Sequence, residues 1–166
     1  MSSQPERDSL LLEIQSDLGK ALWQIQAFED TLAHLIAIVL EMPANASIAE
    51  AVAILDDVRK GTLGKLIRRA REAVHFDETF ELTIARFVDE RNWLVHRSWR
   101  MYHHVFFEPN VYRSFRLRTR GVARDALELN KLFAGLIEDW AKNQGVGEAR
   151  LRELEEEFTN VWHKET

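Results

Sequence analysis

The sequence predicts an all-α fold, a helical bundle with a four-helix core and additional short helices. Three observations lead there. Apolar residues recur at alternating spacings of three and four over more than thirty positions at the start of the chain. Helix-capping residues and helix breakers punctuate the rest at helix-length intervals. The one β-like alternation, FRLRTR over 115–120, is short, isolated and basic, and reads as a loop or a helix entry.

The first stripe is Leu11, Ile14, Leu18, Ala21, Ile25, Phe28, Leu32, Leu35 and Val39, which places one long helix over 8–41. Pro43 ends it, because proline cannot donate to the helical ladder. Ser47 is the N-cap of a second helix carried by Ile48, Val52, Leu55 and Val58 to Gly61. A short third helix follows from Thr62 to about Ala73. Asp77 caps a fourth that runs to about His104. Pro109-Asn110 breaks the pattern, and the helical signal resumes near Val122 and continues to Lys142. Gly145 and Gly147 mark another stop, before an acidic closing helix over 148–163 that carries Leu151, Leu154, Phe158, Val161 and Trp162. One domain over 1–166 accounts for the length.

Composition narrows the class. Hydrophobic residues make up 46% and charged residues 30% of the chain, the balance of a globular protein. Cysteine is absent, which excludes disulfides, thiolate metal sites and cysteine nucleophiles, and fits a reducing compartment. The polar start MSSQPERDS lacks the basic-then-apolar pattern of a signal peptide. LIAIVL (35–40) is far too short to span a bilayer. A cytoplasmic protein with no membrane partner is the expectation.

Residues 90–100, ERNWLVHRSWR, carry the functional signal. On an α-helix, Phe80, Ile84, Phe87, Leu94 and Met101 form a core stripe, with Arg91 on its line. Val88, Asn92, Val95, Trp99 and Tyr102 form a second stripe beside it, with His96 on its far edge, about 140° around from Arg91. Two apolar stripes are more than one core takes up, so the second is expected to meet a partner, most simply another copy of the chain. An interface through Val88, Asn92, Val95 and Trp99 follows.

Arg91-Asn92-Trp93-Leu94-Val95-His96 fits R-x4-H with a polar residue after the arginine. On a late helix of a small helical bundle this resembles the HEPN superfamily, most strongly over 77–104, and TLGKLI (62–67) is similar to the lead-in of some members. Many HEPN domains are metal-independent ribonucleases, often toxins or antiviral defence effectors, that dimerise so that two motifs form one cleft. Others have lost catalysis and act as binding modules. The resemblance implies Arg91 and His96 as the catalytic pair and Asn92 as a polar helper, with no cofactor and no metal. Members paired with a nucleotidyltransferase antitoxin carry tyrosine two residues after the histidine; here that position is Ser98.

The residue types suit the chemistry on their own terms. RNA cleavage through the 2′-OH needs a base for the hydroxyl proton, which histidine supplies near neutrality. It also needs a cation for the phosphate, and arginine's forked donors fit that role. The competing reading is that Arg91 and His96 satisfy helix ends or an ion pair with Asp89 or Glu90.

Between Arg97 and Arg124 seven arginines face the single acid Glu108, a segment of +6 in a chain of −5 that leaves −11 elsewhere. Arg97, Arg100, Arg113, Arg116, Arg118 and Arg120, interleaved with Trp99, Tyr102, Phe106, Phe107, Tyr112 and Phe115, are candidate RNA contacts. They are equally suited to balancing acidic neighbours or receiving an acidic antitoxin protein. His103-His104 point about 100° apart on a helix, without an acid at ligand spacing, and make a poor metal site. His34 reads as a hydrogen-bonded histidine at the core edge, and His75 and His163 as helix-end residues. Trp23, Trp93, Trp140 and Trp162 read as core and interface filling. GTLGKL lacks the spacing and the preceding strand of a P-loop. The expected function is a metal-independent endoribonuclease with RNA as substrate and a composite site in a homodimer. The alternatives are a non-catalytic binding or regulatory module and a structural helical dimer.

Overall fold

A computed structural model of the chain describes residues 4–43, 46–102 and 108–144, and among them every element is helical. Helix α1 (Gln4–Ile36) runs on as a π-helical turn, Ala37–Glu41. It buries most of the expected stripe: Ile14, Ala21, Ile25, Phe28, Leu32 and Leu35 lie in the core, Leu18 and Val39 are half-buried and Leu11 is exposed. The Met42 N–H closes the last turn on Ala37 O at 2.8 Å, and Met42 itself is extended (φ −79°, ψ 118°). That is the conformation proline imposes on the residue before it.

Ser47 and Glu50 form a reciprocal cap at the start of α2 (Ile48–Arg59). The Glu50 N–H donates to Ser47 Oγ at 3.3 Å, and the Ser47 N–H donates to Glu50 Oε2 at 2.9 Å. The Ser47 N–H and then its hydroxyl hold the Glu50 carboxyl below its usual range. Helix α2 turns inward on Leu55 and Val58. Gly61 then allows a tight step into α3 (Leu63–Ala73), because a Cβ there would meet Val58 O at 3.0 Å. Leu63, Leu66, Ile67 and Ala70 face the core from α3. Asp77 caps α4 (Glu78–Asn92) by accepting the Phe80 N–H at 2.7 Å.

The chain then passes through a π-helical segment, Trp93–Arg97, into the short α5 (Ser98–Tyr102). The Ser98 N–H bonds to Trp93 O, five residues back. This extra residue in the turn corrects the core stripe expected from the sequence. Tyr102 instead of Met101 continues the line from Leu94, so Tyr102 meets Trp93 and Phe115 while Met101 is 54% exposed.

The second correction is α6 (Pro109–Asn143), which takes in Pro109-Asn110, read as a break, and turns FRLRTR, read as a basic loop or a helix entry, into helix. Pro109 starts the helix instead of ending one, since the first turn has no use for its missing N–H. Phe115, Thr119, Val122, Ala126, Leu129 and Phe133 give α6 a buried line at spacings of three and four. The arginines of FRLRTR occupy its flanks.

Paired residues give the layout. Glu13 meets Tyr112, Asp17 meets Arg116 and Arg120, and Phe28 meets Phe133, so α1 and α6 run side by side in the same direction. Phe80 meets Phe133, Arg86 meets Asp125, Glu90 meets Arg118 and Trp93 meets Phe115, so α4 runs opposite to α6. Phe28 sits between Phe87 (centroids 5.3 Å, edge-on) and Phe133 (5.5 Å), and locks the three helices together. No helix among the described residues is long and apolar enough to cross a membrane. Trp23 departs from core filling and is 72% exposed on α1. The closing helix expected over 148–163, with Trp162 and His163, and also His103-His104, Phe106 and Phe107, lie outside the described residues.

Candidate active site

The π-helical segment decides where Arg91 and His96 point. On a regular α-helix a five-residue step leaves two side chains about 140° apart. Across an i→i+5 turn, residue i+5 is carried back over residue i. Arg91 Nη1 accordingly lies 3.4 Å from His96 Nε2, a long contact whose direction depends on the imidazole tautomer. The sequence reading placed the two on opposite flanks of an apolar strip; the local winding puts them on one face. Asn92 joins them, with Oδ1 accepting from Arg91 Nη1 at 3.4 Å.

Arg91 does not fill the core. It is half-buried and turns to α1, where Nε and Nη2 both donate to Glu29 Oε1, at 3.2 and 2.9 Å. Neither Asp89 nor Glu90 is its ion-pair partner: Glu90 receives Arg118 instead, at 2.6 and 2.9 Å. Glu29 is the member of this cluster that the sequence reading missed. It lies 62 residues before Arg91, and its only sequence signal is an acid next to the core residue Phe28. One edge of the Arg91 fork is thus held by a carboxylate, and the other faces His96, which is exposed. The cluster combines a fixed cation, a solvent-facing imidazole and a carboxamide. That set suits an anionic ligand carrying a transferable proton, and one carboxylate already satisfied by arginine is a poor metal donor. Among the described residues no group of three His, Asp or Glu is placed to hold a metal ion.

The six candidate RNA-contact arginines divide in two. Arg116 donates Nε to Asp17 Oδ2 at 2.6 Å and also pairs with Glu13, while Arg120 Nε reaches both Asp17 oxygens at 3.0 and 3.1 Å. Partial burial pushes the Asp17 carboxyl up, but the hydrogen bonds from Arg116 and Arg120 outweigh it and hold the group below its usual range. The Tyr112 hydroxyl donates to Glu13 Oε2 at 2.7 Å, and burial and then that bond push its ionisation up. Arg118, clamped by Glu90, lies over the Trp93 ring at 3.8 Å and braces the π-helical segment from behind. These three arginines are engaged within the fold. Arg97, Arg100 and Arg113 are exposed and form no ion pair with a described residue. Val95 (41%) and Trp99 (69%) are exposed, whereas Val88 and Asn92 of the expected interface are half-buried. His34 behaves as expected, with Nδ1 2.8 Å from Asp30 O at the core edge. His75 is exposed beyond the end of α3.

Fold and site together define an all-α helical bundle with an arginine–histidine pair displayed where α4 passes into a π-helical turn. No protein-family model, no curated protein and no solved structure matches the chain.

Proposed function

We propose that this chain is a HEPN-like, metal-independent endoribonuclease acting as a two-fold dimer, with two Arg91–His96 pairs lining one cleft. The observation that carries the reading is the 3.4 Å approach of Arg91 Nη1 to His96 Nε2 on an exposed face. A base and a cation at this separation bracket a phosphodiester and its neighbouring hydroxyl. The weak Nη1–Nε2 contact gives way when RNA enters: Nη1 turns to a phosphate oxygen, and Nε2 is released to accept the 2′-OH proton. The 2′-oxygen then bonds to phosphorus and the bond to the 5′-oxygen breaks. The leaving oxygen takes a proton from the other imidazolium of the composite cleft. The products carry a 2′,3′-cyclic phosphate and a 5′-hydroxyl. Arg97, Arg100 and Arg113, which form no ion pair with a described residue, hold the strand. A toxin or defence effector, restrained by an acidic antitoxin protein on the same basic face, is the biological role this activity fits.

The second reading is a non-catalytic binding or regulatory module. The Glu29 carboxylate favours it, because it neutralises Arg91 in the free protein. One experiment separates the two: incubation of RNA with the protein in EDTA. Wild type should cut RNA to cyclic-phosphate ends and leave an all-DNA strand intact. His96→Ala should lose about 10²–10⁴-fold in rate, the usual worth of a positioned general base. Full activity in folded His96→Ala protein would refute the assignment, and RNA binding without cleavage by wild type would establish the module.

A further inference from the structure

The structure assigns Glu29 as a positioning residue for the Arg91–His96 pair: the carboxylate of α1 fixes the guanidinium so that Nη1 is presented to the imidazole. The placement does not depend on the ribonuclease reading, although its catalytic readout rests on that reading. Three observations converge. First, Glu29 Oε1 takes two donors from one edge of the fork, Nε at 3.2 Å and Nη2 at 2.9 Å. Arginine's planar group has no freedom left to rotate once that edge is held. Nη1 must then point away from α1, where Asn92 Oδ1 and His96 Nε2 both stand at 3.4 Å.

Second, Glu29 is itself held by the core. It follows Phe28, which is fully buried between Phe87 and Phe133. It precedes Asp30, whose Oδ1 accepts from Arg59 Nε of α2 at 2.7 Å. The backbone that carries the carboxylate is therefore fixed on both sides, as a site held on rigid elements requires. Third, the pair spans two elements. Arg91 is the penultimate residue of α4, two before the π-helical turn, and the partner that holds its Nε edge comes from α1. Without Glu29 a half-buried guanidinium would turn to solvent and leave His96.

The test uses Glu29→Ala and Arg91→Ala, singly and together, with Glu29→Gln available if the alanine variant does not fold. RNA cleavage and the nitrogen-15 NMR signals of the His96 ring are measured on protein whose thermal unfolding is cooperative. Glu29→Ala should lower kcat by about 10- to 100-fold, the scale of a misaligned catalytic group, with KM unchanged. Adding it to Arg91→Ala should cost nothing further, because both changes remove one unit. It should also move the His96 ring signals in the way Arg91→Ala does. Ring signals that stay at wild-type positions in Glu29→Ala, or losses that multiply in the double variant, would overturn the positioning role. If wild type cleaves no RNA, the ribonuclease reading falls, and the ring signals alone still decide for or against Glu29.

Discussion

At the scale of single residues, the charged side chains of the described residues are matched across helices more than along them. Arg91 ignores the acids beside it and reaches Glu29; Arg118 passes over to Glu90; Arg116 and Arg120 converge on Asp17. Asp17 is the most enclosed of these acids, with 11% of its side chain exposed. Its carboxyl titrates below its usual range, so its stabilisation is complete above about pH 4, the unfolded value, and is lost as pH falls through the lower folded value. Asp17→Asn should cost about 2–3 kcal/mol at neutral pH, as expected for charge-assisted bonds whose arginine is left enclosed. Urea unfolding at pH 7 and at pH 3 checks this: the gap between wild type and variant should shrink at the lower pH. An equal gap at both would show that something other than the Asp17 charge is at work. None of these partnerships was legible from spacing, because each joins residues that only packing brings together.

At the scale of elements, two segments decide what the protein displays. Helix α6 was half legible: its line from Val122 onward follows helical spacing, but Pro109 and the alternation of FRLRTR mimic a break and a strand. The alternation is an accident of arginines placed on both flanks of a helix whose buried line is Phe115, Thr119 and Val122. The π-helical turn Trp93–Arg97 was not legible, because one surplus residue leaves no compositional mark. It arises because Leu94 within it and Tyr102 after it both face inward, eight residues apart, one more than an α-helix accommodates in two turns. Two deletions test its role. Deleting Arg97 brings Tyr102 into α-helical register, relaxes the turn and leaves Arg91 and His96 about 140° apart. Deleting Val95 relaxes the turn equally but leaves them four apart, on one face. Both proteins should stay folded by circular dichroism; the first should lose cleavage well beyond an Arg97→Ala control, and the second should keep it. Cleavage by the Arg97 deletion at the level of that control would remove the turn from the mechanism.

At the scale of the whole molecule, the candidate site lies among side chains that the described residues leave exposed. Val95, Trp99 and Met101 are 41, 69 and 54% exposed next to the exposed His96. Val95 and Trp99, four residues apart, favour a matching surface, and a two-fold dimer supplies one from the same chain. Light scattering across a concentration series should give a dimer mass for wild type. Trp99→Asp should shift it to monomer, since a carboxylate at a closed apolar contact is costly, and RNA cleavage should fall with it. A monomer mass for wild type at every concentration would remove the composite cleft.

The sequence by itself determined the all-α class, the stripe of α1, the Ser47 and Asp77 caps, and the residues Arg91, Asn92 and His96 as the place to look. Those are local matters: periodicity, capping and motif spacing operate within one or two turns, so neighbouring letters carry them. Only the tertiary structure decided that Arg91 and His96 share a face, that Glu29 holds the arginine, and that Arg116, Arg118 and Arg120 are engaged internally while Arg97, Arg100 and Arg113 form no ion pair with a described residue. Each of these depends on a register or a partner set by how α1, α4 and α6 pack, and the position of a side chain across a helix interface is written in the core residues of both helices together.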